Sequence, residues 1–175
     1  MPNAILLRDQ IPADPTGWWI SEKFDGIRAI WTGTRLLTRS GKALNPPAWW
    51  TDGMPDRRLD GELWAGHGKF DQLVSHIQTG EWSEINYMVF DIAESGGFED
   101  RNRYLYGMTM PAHCRVVPHI KCKGAEHLDR LERNVVSIGG EGLVIRRPGH
   151  KYAPGRSGDV VKVKRLVADV DRWQG

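Results

Sequence analysis

The residues best suited to chemistry cluster in Ser21-Glu22-Lys23-Phe24-Asp25-Gly26-Ile27-Arg28. A lysine amine that has lost its proton can attack the phosphorus of an acid anhydride and form a covalent phosphoramidate. Near neutral pH this needs a lysine pKa below the ordinary ~10.4, and neighbouring cations lower it. Lys162 and Lys164 alternate with Val161 and Val163, so both lysines face one side of a strand and supply such cations. Two acidic segments complete the set. Leu59-Asp60-Gly61-Glu62-Leu63 and Glu141-Gly142-Leu143-Val144-Ile145-Arg146 each set a carboxylate at the start of a strand. Such carboxylates hold Mg²⁺ (or Mn²⁺) and ribose hydroxyls, and the metal neutralises nucleotide phosphates. Phe90 is of a kind that fills a core or stacks on a base. Taken singly, each segment also reads as a charged turn, a surface glutamate or a core aromatic. Together they make a coherent phosphoryl-transfer site.

These groups need elements to position them. Short runs rich in β-branched and aromatic residues predict strands at Trp18–Glu22, Ile27–Thr32, Arg35–Arg39, Gly61–Trp64, Tyr87–Ile92, Arg115–Val117, Gly142–Arg146 and Val160–Lys164. Thr32-Gly33-Thr34 predicts a hairpin. Phe70, Leu73, Val74 and Ile77 recur at helical spacing, as do Ala125, Leu128, Leu131 and Val135, with Gly139-Gly140 as a stop for the second helix. Asn45-Pro46-Pro47 and Glu94–Asp100 read as exposed loops. The expected class is α+β, mainly antiparallel sheets with flanking helices.

Composition bounds the function. The 175 residues, 40% hydrophobic and 26% charged, describe an ordinary globular chain of a length that suits one domain. No run is apolar enough for a membrane span, and Met1–Leu7 shows no uncleaved signal peptide. A cytoplasmic monomer is expected, or a periplasmic one if a signal peptide has been removed. Cys114 and Cys122 are too few for a disulfide framework or a four-cysteine zinc site, and read best as free or buried thiols. Eight tryptophans, two pairs of them adjacent (Trp18-Trp19 and Trp49-Trp50), are expected mostly in the core. The net charge of +2 is slight, yet Arg146–Arg165 carries seven cations against Asp159 alone, a local charge of +6. Such a stretch is either a solvated face or a surface for phosphates.

Taken in order, the segments resemble the ATP-dependent DNA ligases within the covalent nucleotidyltransferases, most of all minimal Lig E type bacterial ligases or similar phage enzymes. The resemblance rests on Lys23–Arg28, Thr38-Arg39-Ser40-Gly41, Asp60-Gly61-Glu62, Phe90, Glu141–Val144 and Lys162–Lys164. It implies an ATP-grasp-like nucleotidyltransferase core over residues 1–165, acting with ATP and Mg²⁺ on nicked double-stranded DNA. Lys23 becomes the lysyl-AMP, and Lys162 and Lys164 meet the AMP phosphate. Arg28 and Arg39 hold ribose or phosphate groups, Arg39 also meeting the 5′-phosphate at a nick. Glu62 contacts ribose hydroxyls and serves the metal together with Glu141. Phe90 and Val144 sandwich the adenine, and Ser21 stands where its amino group is often recognised. Arg146, Arg147, Lys151 and Arg156 are the expected DNA contacts. Family members normally continue into an oligonucleotide-binding (OB) barrel, which the eleven residues after Lys164 cannot form, so residues 166–175 read as a linker or the start of a barrel in an excised or truncated domain. Capping-type guanylyltransferases, which share the lysine motif, and a non-catalytic nucleic-acid-binding module remain the alternatives.

Overall fold

The computed structural model describes residues 11–153 and 157–164. Their strands are β1 (Trp19–Glu22), β2 (Ile27–Trp31), β3 (Leu36–Thr38), β4 (Ala43–Leu44), β5 (Leu59–Trp64), β6 (Asn86–Ile92), β7 (Cys114–Val116), β8 (Ile120–Lys121), β9 (Leu143–Arg146) and β10 (Val160–Val163). The helices are α1 (Ala48–Thr51), α2 (Phe70–Thr79), α3 (Phe98–Tyr106) and α4 (Ala125–Ser137). Backbone contacts divide the described chain into two compact units: residues 11–23, 119–148 and 157–164, and residues 24–118 with 149–153.

The first unit is built on an antiparallel sheet in the order β10-β9-β1-β8. Alternation along its strands sorts the side chains. Ile20, Leu143, Ile145, Val161 and Val163 are buried together with Leu128 of α4. The opposite face takes the remaining residues, because Ser21, Val144 and Lys162 lie in one cross-strand row. Helix α4 ends as its two glycines predict. Gly139, at φ +89°, turns the chain, and the Gly139 and Gly140 N–H groups donate to the Val136 and Val135 carbonyls at 3.0 and 2.8 Å.

The second unit has a six-stranded sheet, β4-β3-β2-β5-β6-β7, antiparallel except for the parallel β6–β7 pair. Ala29, Trp31, Leu59, Leu63, Tyr87, Val89 and Ile92 form its buried face. The expected β2–β3 hairpin is present, with Gly33 at φ +99°. Burying each such large apolar side chain contributes about 1.5–3 kcal/mol. Trp50 is fully buried, lies 5.0 Å from Trp82 and donates its indole N–H to the Ile85 carbonyl. Its neighbour Trp49 points outward, since successive helical residues diverge by about 100°.

Some expectations change. Strands β4 and β8 span two residues each, too few for any periodic signal. Glu94–Asp100 is not all loop, because α3 begins at Phe98, which is buried. Helix α1 starts directly after Pro47. Phe70 is partly exposed, at 38%, so the buried stripe of α2 centres on Leu73. Cys114 and Cys122 are free, buried thiols, and burial pushes the Cys114 thiol up to about 12. No helix among the described residues is long and apolar enough to cross a membrane. Residues 165–175, where a linker or barrel start is expected, lie outside the described residues.

Candidate functional site

In the first unit, β1 delivers Lys23 one residue beyond its last strand position. The Lys23 N–H donates to the Gly142 carbonyl at 2.9 Å, which sets the lysine beside the turn carrying Glu141. Lys23 Nζ lies 2.6 Å from Glu141 Oε2. Lys164, one residue beyond β10, reaches Glu141 Oε1. One carboxylate thus gathers two ammonium groups from opposite ends of the chain. Burial works to raise the Glu141 pKa, but the bonds from Lys164 and Lys23 outweigh it and hold the carboxyl below its ordinary value. Gly142 makes this geometry possible. It adopts φ +152°, and a Cβ there would lie 2.4 Å from the Val163 carbonyl oxygen. Any side chain would push β10, and Lys164 with it, away.

The face of the sheet that ends at Lys23 carries Ser21, Val144 and the exposed Lys162 in register. Arg146 lies on the same face but is buried, donating to Ser21 Oγ at 3.0 Å and lying 3.1 Å from His119 Nε2. It is therefore an internal support for Ser21, not the exposed phosphate contact the local charge suggested. Alternation sets it on the face away from the core, where its contacts with Ser21 and His119 accompany its burial. Arg147 is exposed and paired to Asp159 at 2.8 Å, with Trp18 5.0 Å beneath its guanidinium. The basic stretch is thus partly internally compensated. Lys151 is exposed, and Arg156 lies outside the described residues.

The second unit holds the other expected group. Arg28 and Glu62 are cross-strand partners on β2 and β5. Both Arg28 Nε and Nη2 donate to Asp60 at 2.6 Å, and the guanidinium sits 4.8 Å from the centre of the Phe90 ring. Burial opposes the Arg28 charge, and Asp60, with Glu62 behind it, raises the pKa regardless. Gly26 lets this strand approach β5, since a Cβ there would meet the Leu63 carbonyl oxygen at only 1.9 Å. Arg39 stands apart, exposed in the turn after β3. Asp60 is the partner that motif reading passed over. Its signal was parity, because it lies two residues before Glu62 and so on the same strand face. His119 and Tyr152, a partner of Asp60 at 3.2 Å, carry no comparable local signal.

For a metal, Glu141 offers one carboxylate, and the described residues contain no cluster of three or more His, Cys, Asp or Glu side chains. That donor set does not cage an ion. It suits Mg²⁺, which takes one or two carboxylates and completes its shell with water and phosphate oxygens.

Comparison with known proteins places the chain in a family. The family model for the ATP-dependent DNA ligase domain matches residues 9–164. A DNA ligase of Haemophilus influenzae is 31% identical over 155 residues, covering 85% of this chain and 58% of that protein. A Lig E DNA ligase structure superposes with a TM-score of 0.80 at 32% identity, over 87% of this chain and 63% of the other. Chlorella virus DNA ligase-adenylate matches with a TM-score of 0.73 at 25% identity, over 94% and 64%. The chain therefore spans about three-fifths of the length of these relatives, and it belongs to the ATP-dependent DNA ligase domain family.

Proposed function

We propose that this chain is the catalytic adenylation domain of a DNA ligase, a cytoplasmic monomer that uses ATP and Mg²⁺ and acts on nicked double-stranded DNA. The observation that carries the reading is the convergence of Lys23 and Lys164 on Glu141. Two buried, unbridged thiols suit a reducing compartment.

On this reading Lys23 Nζ attacks the α-phosphorus of ATP. A P–N bond forms, the P–O bond to pyrophosphate breaks, and Lys23 carries AMP. The amine must first lose a proton, and Glu141 Oε2 is the acceptor within reach at 2.6 Å. Lys164 and Lys162, on the same side of their strand, neutralise the phosphate being transferred. Val144 and Phe90 suit the faces of a base, while Arg28, Arg39 and Glu62 suit ribose and phosphate oxygens. Bound at Glu141, Mg²⁺ would neutralise phosphate charge. Lys23 then passes AMP to the 5′-phosphate at a nick, its P–N bond breaking as a new anhydride forms. Attack by the 3′-hydroxyl makes the phosphodiester and expels AMP.

Incubation with α-labelled ATP, denaturing electrophoresis and peptide mapping tests the reading. Label is expected on Lys23, absent from Lys23→Ala, and stronger from ATP than from GTP. Label persisting on Lys23→Ala overturns the assignment, and preferential GMP transfer moves the chain to the capping class. A wild-type chain that takes no label and fails to seal a pre-adenylated nick overturns the reading altogether.

A further inference from the structure

Residues 149–153 follow β9 in the chain, yet they belong to the same compact unit as β5, β6 and α3. Several contacts hold them there. The Gly149 N–H donates to both oxygens of Glu99, at 3.1 and 2.9 Å. Lys151 pairs with Gly97 through a backbone bridge. Arg101 donates to the His150 carbonyl at 2.9 Å, and the His150 ring stacks on Phe98 at 5.3 Å and 11°. Arg101 is itself buried and locked to Asp91. Tyr152 is thus presented from a fixed backbone, and its hydroxyl donates to Asp60 Oδ2 at 3.2 Å. Burial, and then the Asp60 carboxylate, raise the phenol pKa, with Arg58 opposing, so the hydroxyl keeps the proton that it donates.

We propose that Tyr152 is a positioning residue that acts through Asp60 on Arg28. The Asp60 carboxylate accepts the Arg28 fork with both oxygens, and Tyr152 occupies a further lone pair on Oδ2. A carboxylate rotates easily about its terminal torsion, so a third donor from a second direction selects one orientation. Arg28 depends on that orientation, because its side chain is 43% exposed and Asp60 takes both ends of its fork. The segment bearing the exposed Lys151 thereby sets the guanidinium that lies over Phe90. The catalytic consequence rests on the ligase reading above, but the positioning itself does not.

Tyr152→Phe isolates the hydroxyl, because the ring that packs 5.9 Å from Arg101 remains. Two measurements decide the matter. In the free protein, the Arg28 Nε–H resonance, assigned with Arg28→Lys, is expected to exchange with water several-fold faster in Tyr152→Phe, with the melting temperature nearly unchanged. In the labelling reaction, Tyr152→Phe is expected to lower kcat about tenfold, the equivalent of one hydrogen bond to a charged group, with KM for ATP within about twofold. In an Arg28→Lys background the same change is expected to have little further effect. Unchanged Arg28 exchange overturns the proposal whether or not the chain is active. Equal kinetic effects in both backgrounds overturn it as well. A wild-type chain without lysyl-AMP counts against the ligase reading, and the resonance experiment then decides this one alone.

Discussion

Replacing Glu141 by glutamine removes one charge and leaves the shape of the lysine cluster intact. Glu141 accepts from Lys23 at 2.6 Å with both side chains under one-fifth exposed, and it also takes Lys164, which is 40% exposed. A hydrogen bond to a charged group is worth about 1.5–3 kcal/mol when shielded. The more exposed Lys164 pair is discounted toward the ~0–1 kcal/mol of surface pairs. In Glu141→Gln the side-chain amide would still accept from one ammonium but would turn an N–H toward the other. A net loss of about 2 kcal/mol follows, or a melting temperature lower by roughly 4–8 °C for a chain of this size. The pH dependence has a definite sign. The native Glu141 pKa lies below the ordinary 4.5, so its stabilisation is fully present above that value and is lost as pH falls through the lowered native one. Calorimetry of both proteins should therefore show a constant gap from about pH 8 to 5 that closes below about pH 4. Lysyl-AMP formation should fall roughly 100-fold as Lys23 loses its proton acceptor. A gap under about 1 °C at neutral pH, or one that widens on acidification, would refute the reasoning.

Arg101→Met leaves Asp91 buried without its partner, and urea denaturation should register a loss of about 3–5 kcal/mol; adding Asp91→Leu should recover part of it. Gly142→Ala must relieve a 2.4 Å contact with the Val163 carbonyl at φ +152°. It is expected to cost about 1–3 kcal/mol in thermal melts and to depress Lys23 labelling through Lys164. Nick binding is expected to be weak and to fall with salt in a filter or anisotropy assay, with a shallow slope reporting only a few phosphate contacts, because Arg146 is buried and Arg147 is paired.

Much of the site was legible as pattern. The order of Lys23, Glu62, Phe90, Glu141, Lys162 and Lys164 carried the resemblance to the ligase family, and the alternation Val161-Lys162-Val163-Lys164 matches a strand with both valines buried. Helical spacing found α2 and α4, and Gly139-Gly140 marked where α4 stops. Such signals are local, because a strand or helix records in its own residues which face is apolar. The pattern does not record which strands pair, or in what register. Lys23 and Glu141 are 118 residues apart in sequence and 2.6 Å apart in space. That contact exists because β1 inserts between β9 and β8, and the burial of Ile20 against Ile145 and Leu143 selects the register. The same pairing set Arg146 within reach of Ser21, where it is buried, against what its local charge suggested. The pairing of β2 with β5 set Arg28 opposite Glu62 and within reach of Asp60, and the docking of residues 149–153 on α3 brought Tyr152 to it. The sequence by itself determined which chemical groups were present and which faces of which elements carried them. Only the tertiary structure decided which groups touch, because contacts between distant segments are set by cooperative burial of the cores and not by any residue's neighbours in the chain.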